Sequence, residues 1–229
     1  MGTLLEYAPL LGEGALVTIS LAVLALVLAT ALGVAGCAAK LSRGLAWEWL
    51  AAVYTTIVRG VPDLVLILLI YFGGQRLVNQ IGGALGAGYI EVSEYWAGVI
   101  SIGFIYGAYL TETFRGAYQS IPHGQAEAAN ALGLSAWQRL RLVMAPQVLR
   151  LALPGYGNVW MVLVKSTAVV SVIGLHDLVG LADKAGKATR EPFLFFLAVI
   201  AVYLAITSVS NWGLARLEAR VNRGQPGWI

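Results

Sequence analysis

Charged side chains lie inside apolar stretches of this sequence, where each charge needs a physical reason. Asp63 follows an interruption at residues 60–62, Arg59 precedes it, and Lys165 lies in a later apolar stretch. If these stretches lie in a membrane, such charges are costly unless they are paired or hydrated. An acid at that depth could receive a cationic group, and a base could receive a carboxylate. Asp63, Arg59 and Lys165 are therefore the candidates for contact with a charged ligand.

Structural roles for the same charges are also open at this point. Arg59 and Asp63 are four residues apart and could neutralise each other on a helix. Asp63 could instead cap the helix that resumes after the interruption, or pair with Lys165. Glu112 and Arg115, three residues apart in another apolar stretch, are best explained as a structural ion pair.

The composition of the chain indicates what surrounds these charges. The 229 residues are 59% hydrophobic and 12% charged, with a mean hydropathy of +0.76 and a formal net charge of +3. A soluble domain carries roughly 25% charged residues. So few charges cannot cover a globular surface against water, but they suffice if lipid covers most of it. The small positive excess predicts no nucleic-acid partner and is typical of charges that orient membrane loops.

Five stretches are long and apolar enough to cross a bilayer as helices, which takes about 20 residues. They run from about residue 14 to 38, 50 to 72, 95 to 117, 153 to 174 and 193 to 214. The second is interrupted at residues 60–62, and the fourth opens through Pro154 and Gly155. The sequence therefore predicts an all-α integral membrane protein in which residues 1–229 form a single transmembrane domain.

The loop charges predict the orientation of the five helices. With the N-terminus outside and the C-terminus in the cytoplasm, nine Lys and Arg fall inside and four outside, which is the favoured arrangement. The nine are Lys40, Arg43, Arg115, Arg139, Arg141, Arg150, Arg216, Arg220 and Arg223, and the four are Arg76, Lys184, Lys187 and Arg190. The first helix is expected to be retained, because no basic residue precedes it as in a signal peptide.

The segment from residue 121 to 148, between the third and fourth predicted spans, is expected to form a bent pair of helices. Its first half is rich in Ala and Leu, which favour a helix, and Gly133 permits a turn. Ser135 can cap a second helix, and Pro146 is expected to end it. The alternative is an amphipathic surface helix that merely caps the bundle.

This segment resembles the EAA loop of ABC importer permeases. The family pattern is EAA, three residues, Gly, nine residues, then Ile-x-Leu-Pro. The matching positions in this chain are Glu127, Ala128, Ala129, Gly133 and Pro146, with Val143 and Ala145 in place of Ile and Leu. In the family this cytoplasmic loop docks into a groove on the ATP-binding subunit and transmits its closure. The resemblance implies that Glu127 makes a polar contact there and that Gly133 provides the bend.

Most of the chain resembles the polar amino acid permeases of these importers. Residues 59–73, 103–129 and 165–178 match that family, most closely the Q-type subunits of histidine/lysine/arginine/ornithine transporters. The resemblance implies a type I ABC importer permease of the bacterial inner membrane that carries basic or polar amino acids.

The same resemblance implies the partners. Two separate ATP-binding subunits would hold ATP and Mg, and a periplasmic or surface-tethered binding protein would deliver the amino acid. A second permease subunit is expected, either a distinct M-type paralogue or a second copy of this chain.

Other functional classes are disfavoured by the sequence. It contains no P-loop, so ATP hydrolysis is not expected in this chain, and no cofactor is expected to bind to it. His123 and His176 fall on opposite faces of the predicted topology and Cys37 is alone, so neither a metal site nor a disulfide is expected. An ion-coupled transporter or channel working alone would need its own relay of buried acids, but the predicted spans contain few acids. An intramembrane enzyme would need a paired nucleophile and base, and the sequence shows no such pair within the spans.

Overall fold

The computed structural model of the chain describes residues 2–42 and 44–221, most of which are helical. Arg43 and Arg223, which entered the charge count above, lie outside the described residues. The α-helices are α1 (Gly2–Leu41), α2 (Leu45–Gly60), α3 (Asp63–Ala84), α4 (Glu94–Gln119), α5 (His123–Ala131), α6 (Ala136–Arg139), α7 (Ala145–Ser166), α8 (Leu178–Thr189) and α9 (Pro192–Val221). A π-helical segment, Leu140–Met144, joins α6 to α7, and a 3₁₀ segment, Thr167–Ile173, follows α7.

Four of the described helical stretches are long and apolar enough to cross a membrane. They are Leu4–Leu41, Asp63–Ala84, Ala136–Ile173 and Pro192–Val221. The third span of the sequence analysis is present as α4, but α4 is not among these four. Fourteen of its 26 residues are buried. Because other helices cover much of α4, less of its surface needs to be apolar.

α1 and α4 run parallel and form the centre of the helix bundle. Gly103 of α4 lies against Leu28 of α1, and Thr111 lies against Gly36. A Cβ atom at Gly36 would fall 2.3 Å from Thr111 Oγ1. The two helices therefore approach each other closely only because glycine stands at these contacts.

The second predicted span is two helices, because Pro62 interrupts it. Proline lacks the N–H that a continuous helix needs, and the preceding Val61 is extended, with φ −109° and ψ 140°. α3 then continues to Ala84, beyond the predicted end at residue 72. The first half of the connection between the second and third predicted spans is therefore helical, and the chain turns at Gly86, whose φ is +77°.

The remaining helices alternate in direction. α7 runs antiparallel to α4, and α9 runs antiparallel to α7. The contacting pairs that establish these directions are Gly155–Thr113, Ser166–Tyr106, Gly157–Leu214 and Thr167–Tyr203. If α2 and α3 are taken as one rod and α6 and α7 as another, five rods alternate along the described chain.

α8 packs at one end of the bundle against the first turns of α1 and α9. Leu11 of α1 and Phe195 of α9 are buried in this apolar contact. Gly14 approaches α8 so closely that a Cβ atom would lie 2.8 Å from Leu178 Cα. The Leu178 N–H also donates a hydrogen bond to Thr18 Oγ1 at 3.2 Å. We call this region the α8 end, and the opposite region, which carries α5, the α5 end.

Candidate functional site

Asp63 is the first residue of α3 and contacts the middle of α4. Tyr106 Oη donates a hydrogen bond to Asp63 Oδ2 at 2.9 Å, and Ser166 Oγ lies 3.4 Å from the same oxygen. At about 1.5 Å per residue, Tyr106 lies about 18 Å along a central helix that is about 39 Å long. The Asp63 carboxylate is therefore held near the middle of the bundle.

The two hydroxyl groups that contact Asp63 come from different helices. Tyr106 is 3% exposed, and its Oη lies 2.5 Å from Ser166 Oγ. Ser166 is the last residue of α7, where the α-helix tightens into the 3₁₀ segment. Neither residue is predicted by the sequence, because a lone Tyr or Ser in an apolar helix gives no sign of its partner.

None of the structural roles considered for Asp63 is observed among the described residues. Asp63 forms no ion pair with Arg59 or Lys165. It also makes no side-chain capping bond to α3, where Pro62 occupies the cap position. Within residues 2–42 and 44–221, no hydrogen bond reaches the second carboxylate oxygen, Oδ1. Asp63 is thus held through one oxygen by neutral hydroxyl groups.

Arg59 is exposed at the end of α2 and borders an open groove. Its guanidinium lies over the Tyr109 ring, 5.4 Å from the ring centroid, in a cation–π contact. The groove has a volume of about 610 Å³, and its lining residues are Lys40, Thr55, Thr56, Arg59, Gly60, Tyr109 and Glu112. In the described part of the chain Arg59 has no carboxylate partner, so it offers this groove a free positive charge.

Glu112 is the centre of an ion-pair network beside the groove. Arg115 Nη2 lies 2.8 Å from Glu112 Oε2, as the sequence predicts for this pair. Lys40 of α1 forms an ion pair with Oε1 and donates to Thr55 Oγ1 at 2.7 Å. The contact between Lys40 and Glu112 is not predicted by the sequence, since the two residues are 72 positions apart. Both Glu112 oxygens are therefore engaged by cations.

Lys165 is exposed on α7, one residue before Ser166. Adjacent residues on a helix point in different directions, so Lys165 shares the level of Asp63 along the bundle but not its contacts. No ion pair to Lys165 is present among the described residues. The structure therefore does not bring Lys165 and Asp63 together.

The EAA segment forms two short helices at the α5 end. Gly133 turns the chain with φ +73°, and Ser135 caps α6 in a capping box with Gln138. Arg139 Nη1 donates a hydrogen bond to Asn130 Oδ1 at 2.5 Å and so joins the two helices. The predicted turn at Gly133 and cap at Ser135 are both present. We call α5, the turn and α6 the hairpin.

The hairpin exposes both charged and apolar side chains. Glu127 and Ala128 are exposed, whereas Ala129 is buried. Leu132 and Trp137 are 80% and 65% exposed. Large apolar side chains beside a charge form a surface of the kind that another protein covers.

Pro146 does not end the second helix, so that prediction is wrong. The helical backbone continues from α6 through the π-helical segment into α7, which carries Pro146 in its first turn. A wider π-helical turn accommodates the missing N–H and the proline ring. The hairpin is consequently continuous with the helix that ends at Ser166.

Asp177 is a buried carboxyl group in the segment between the last two spans. Its Oδ1 accepts a hydrogen bond from Gly180 N at 2.8 Å and caps α8. Its Oδ2 is buried and has no hydrogen-bond partner in the described structure. Burial disfavours the ionised form, so the pKa of Asp177 is raised from 3.8 to about 6.

Comparison with known proteins places this arrangement in one family. The family described as "Binding-protein-dependent transport system inner membrane component" matches residues 25–223. The chain is 48% identical over 212 residues to the histidine/lysine/arginine/ornithine transport system permease protein HisQ of Escherichia coli (strain K12), covering 93% of each chain. It is 41% identical to the nopaline transport system permease protein NocQ of Agrobacterium fabrum, covering 93% of this chain and 92% of the relative.

Solved structures share the fold. A crystal structure of an amino acid ABC transporter with histidines matches with a TM-score of 0.83 and 31% identity, covering 95% of this chain and 96% of that chain. The inward-facing MetNI methionine ABC transporter matches with a TM-score of 0.75 at 17% identity, which shows the fold alone. The type I ABC permease fold implied by the sequence resemblance is therefore supported by both neighbours.

The predictions of an amino acid importer permease and of ATP hydrolysis by a separate subunit are confirmed by these relatives. An importer of this class has ATP-binding subunits and a substrate-binding protein as partners. The chain belongs to the family of inner membrane components of binding-protein-dependent transport systems.

Proposed function

We propose that this chain is the permease subunit of an ATP-driven importer for basic amino acids such as arginine, lysine, ornithine and histidine. The relatives named for histidine, lysine, arginine, ornithine and nopaline support this substrate class. A carboxylate, Asp63, held near the middle of the bundle suits a cationic substrate. ATP and Mg are held by two separate subunits, and this chain converts their closure into inward movement of the substrate.

The observation that carries the proposal is the exposed hairpin with the EAA residues. Glu127 and Ala128 are exposed, while Ala129 is buried. The exposed apolar residues Leu132 and Trp137 supply surface that an ATP-binding subunit can bury. In this proposal Glu127 makes the polar contact with the ATP-binding subunit, and Gly133 provides the bend. Pro146 lies where the hairpin continues into α7.

All five helical rods cross the inner membrane in this proposal, with the α5 end in the cytoplasm. Seven described Lys and Arg lie toward the α5 end: Lys40, Arg115, Arg139, Arg141, Arg150, Arg216 and Arg220. Four lie toward the α8 end: Arg76, Lys184, Lys187 and Arg190. The excess of basic residues at the α5 end favours a cytoplasmic position. The N-terminus is then outside and the C-terminus inside.

The substrate path runs past the break between α2 and α3. Asp63 receives the cationic group of the substrate, and Arg59 receives its α-carboxylate from the adjoining groove. Lys165, exposed at the same level, faces the path and not lipid, since an unpaired ammonium in lipid would be costly. Interrupted helices at mid-membrane form substrate sites in other transporters.

The complete importer contains a second permease subunit that closes the other side of the path. A distinct M-type paralogue is the proposed partner, and a second copy of this chain is the alternative. A binding protein delivers the amino acid at the α8 end.

Site-directed cross-linking tests both the docking surface and the orientation. A single cysteine at Ala128, in a chain whose Cys37 is replaced by Ala, is expected to cross-link to the ATP-binding subunit. The same cysteine should react with an impermeant thiol reagent only from the cytoplasmic side. A matched cysteine at Leu85, which is 81% exposed at the other end of the bundle, should react only from outside and form no such cross-link. Labelling of Ala128→Cys from outside would contradict the proposal.

A further inference from the structure

Tyr106 and Ser166 give the Asp63 carboxylate a defined geometry. Both hydroxyl contacts go to Oδ2, from which Tyr106 Oη is 2.9 Å and Ser166 Oγ is 3.4 Å away. Among the described residues, no hydrogen bond engages Oδ1. A carboxylate that is fixed through one oxygen leaves the other free to accept from a cation.

We propose that Tyr106 is a positioning residue that sets the preference of the Asp63 site for cationic over neutral side chains. This inference rests on the function proposed above for Asp63. Tyr106 is 3% exposed, so it acts on the substrate through Asp63 and not by contact. Its hydrogen bond to Oδ2 restrains the rotation that would turn Oδ1 away from the path.

The surroundings of Tyr106 hold its hydroxyl group in place. The Tyr106 ring stacks on the Tyr109 ring, with centroids 5.5 Å apart and an interplanar angle of 27°. Ser166 Oγ lies 2.5 Å from Tyr106 Oη and ties it to the end of α7. Because the side chain is confined on both sides, its hydroxyl has little freedom to leave Asp63. A confined Tyr106 hydroxyl keeps the Asp63 carboxylate in one orientation. A mobile hydroxyl would let the carboxylate adjust to either substrate, and the site would then discriminate less between them.

The substitution Tyr106→Phe removes the hydroxyl and keeps the ring. Binding of radiolabelled arginine is measured on the full transporter complex without its soluble binding protein, so that only binding at the site within the membrane is measured. Citrulline, the uncharged analogue of arginine with the same chain length, is the competitor. The arginine Kd is expected to rise about tenfold, as for loss of a hydrogen bond to a charged group, while the citrulline Kd stays unchanged.

A matched control removes a hydroxyl elsewhere in the membrane. Tyr156 Oη lies 3.0 Å from Thr30 Oγ1 and links α7 to α1, away from Asp63. Tyr156→Phe should therefore leave the ratio of arginine to citrulline affinity at its original value. If Tyr106→Phe also leaves the ratio unchanged, or weakens both ligands equally, the positioning role is overturned.

Asp63→Asn separates this inference from the function on which it rests. Arginine should then lose its advantage over citrulline. If Asp63→Asn binds arginine as the unaltered protein does, the proposed role of Asp63 itself fails. If Asp63→Asn loses the preference and Tyr106→Phe keeps it, only the role of Tyr106 fails. If Tyr106→Phe does not assemble, Ser166→Ala is measured instead. The ratio of arginine to citrulline affinity is then expected to fall at least about threefold. An unchanged ratio contradicts the proposal.

Discussion

Lys40 on α1 and Glu112 on α4 form an ion pair inside the helix bundle. Their side chains are only 12% and 17% exposed. Thr55 accepts a second hydrogen bond from Lys40, and Arg115 occupies the other Glu112 oxygen. Three helices therefore meet at a network in which every charge has a partner, as burial of ionised groups requires.

Replacement of Glu112 by Gln is expected to lower the free energy of unfolding by about 2 kcal/mol, as for loss of hydrogen bonds between charged groups. The substitution keeps the shape of the side chain but leaves the partly buried Lys40 ammonium without a carboxylate. Thermal unfolding of the purified transporter complex measures the effect. Asp183→Asn is the control, because its ion pair with Lys187 is exposed and should contribute no more than about 0.5 kcal/mol. Equal shifts for the two variants would show that the Glu112 network does not stabilise the bundle.

Asp177 is expected to make stability depend on pH between about 4 and 6. Its pKa is 3.8 in an unfolded chain and about 6 in the folded one, so the folded state binds more protons in this interval. The free energy of unfolding therefore decreases as pH rises from about 4 to about 6, by at most about 3 kcal/mol, and stays lower above that pH.

Asp177→Asn should remove this dependence while keeping the cap of α8, because Asn is also a good N-cap. The measurement is the difference in unfolding midpoint between the variant and the unaltered protein at pH 5 and pH 7. The variant should gain stability relative to the unaltered protein at pH 7. A difference that does not change with pH would mean that Asp177 does not titrate in this interval.

Gly14 is expected to be irreplaceable at the contact between α1 and α8. A Cβ atom there would lie 2.8 Å from Leu178 Cα, a backbone atom that cannot move alone. Gly14→Ala should therefore lower the free energy of unfolding by about 2 kcal/mol through overpacking. Gly12→Ala, in the same helix with no atom within 4 Å of the new Cβ, should instead raise it by up to about 1 kcal/mol. Thermal unfolding of both variants is the test, and equal effects would contradict the close packing of α8.

The features that the sequence predicts well depend on residues that act locally. Pro62 interrupts a helix because of its own ring and missing N–H. Ser135 caps α6 because its side chain accepts a hydrogen bond from the backbone N–H of Gln138, three residues away. Gly133 adopts a positive φ that other residues resist. Glu112 and Arg115 pair because they are one helical turn apart.

The features that the sequence analysis missed depend on contacts between distant segments. Tyr106 and Asp63 are 43 positions apart, and their hydrogen bond exists only because α3 packs on α4. The prediction of a helix end at Pro146 was wrong for a related reason. Proline usually ends a helix, but a π-helical segment before it changes the local geometry, and no residue in that segment signals this.

Gly133→Ala is expected to uncouple ATP hydrolysis from uptake. An L-residue in the left-handed region costs about 1 kcal/mol, so the substitution disfavours the turn that sets α5 against α6. A free-energy change of this size changes the equilibrium ratio of bent to unbent hairpin about fivefold. In proteoliposomes containing the complete importer, the amount of arginine taken up per ATP hydrolysed should fall, by at most about fivefold. Gly124→Ala, within α5 and with no atom near the new Cβ, should leave this ratio intact. Equal ratios for both variants would show that the bend at Gly133 does not transmit the motion.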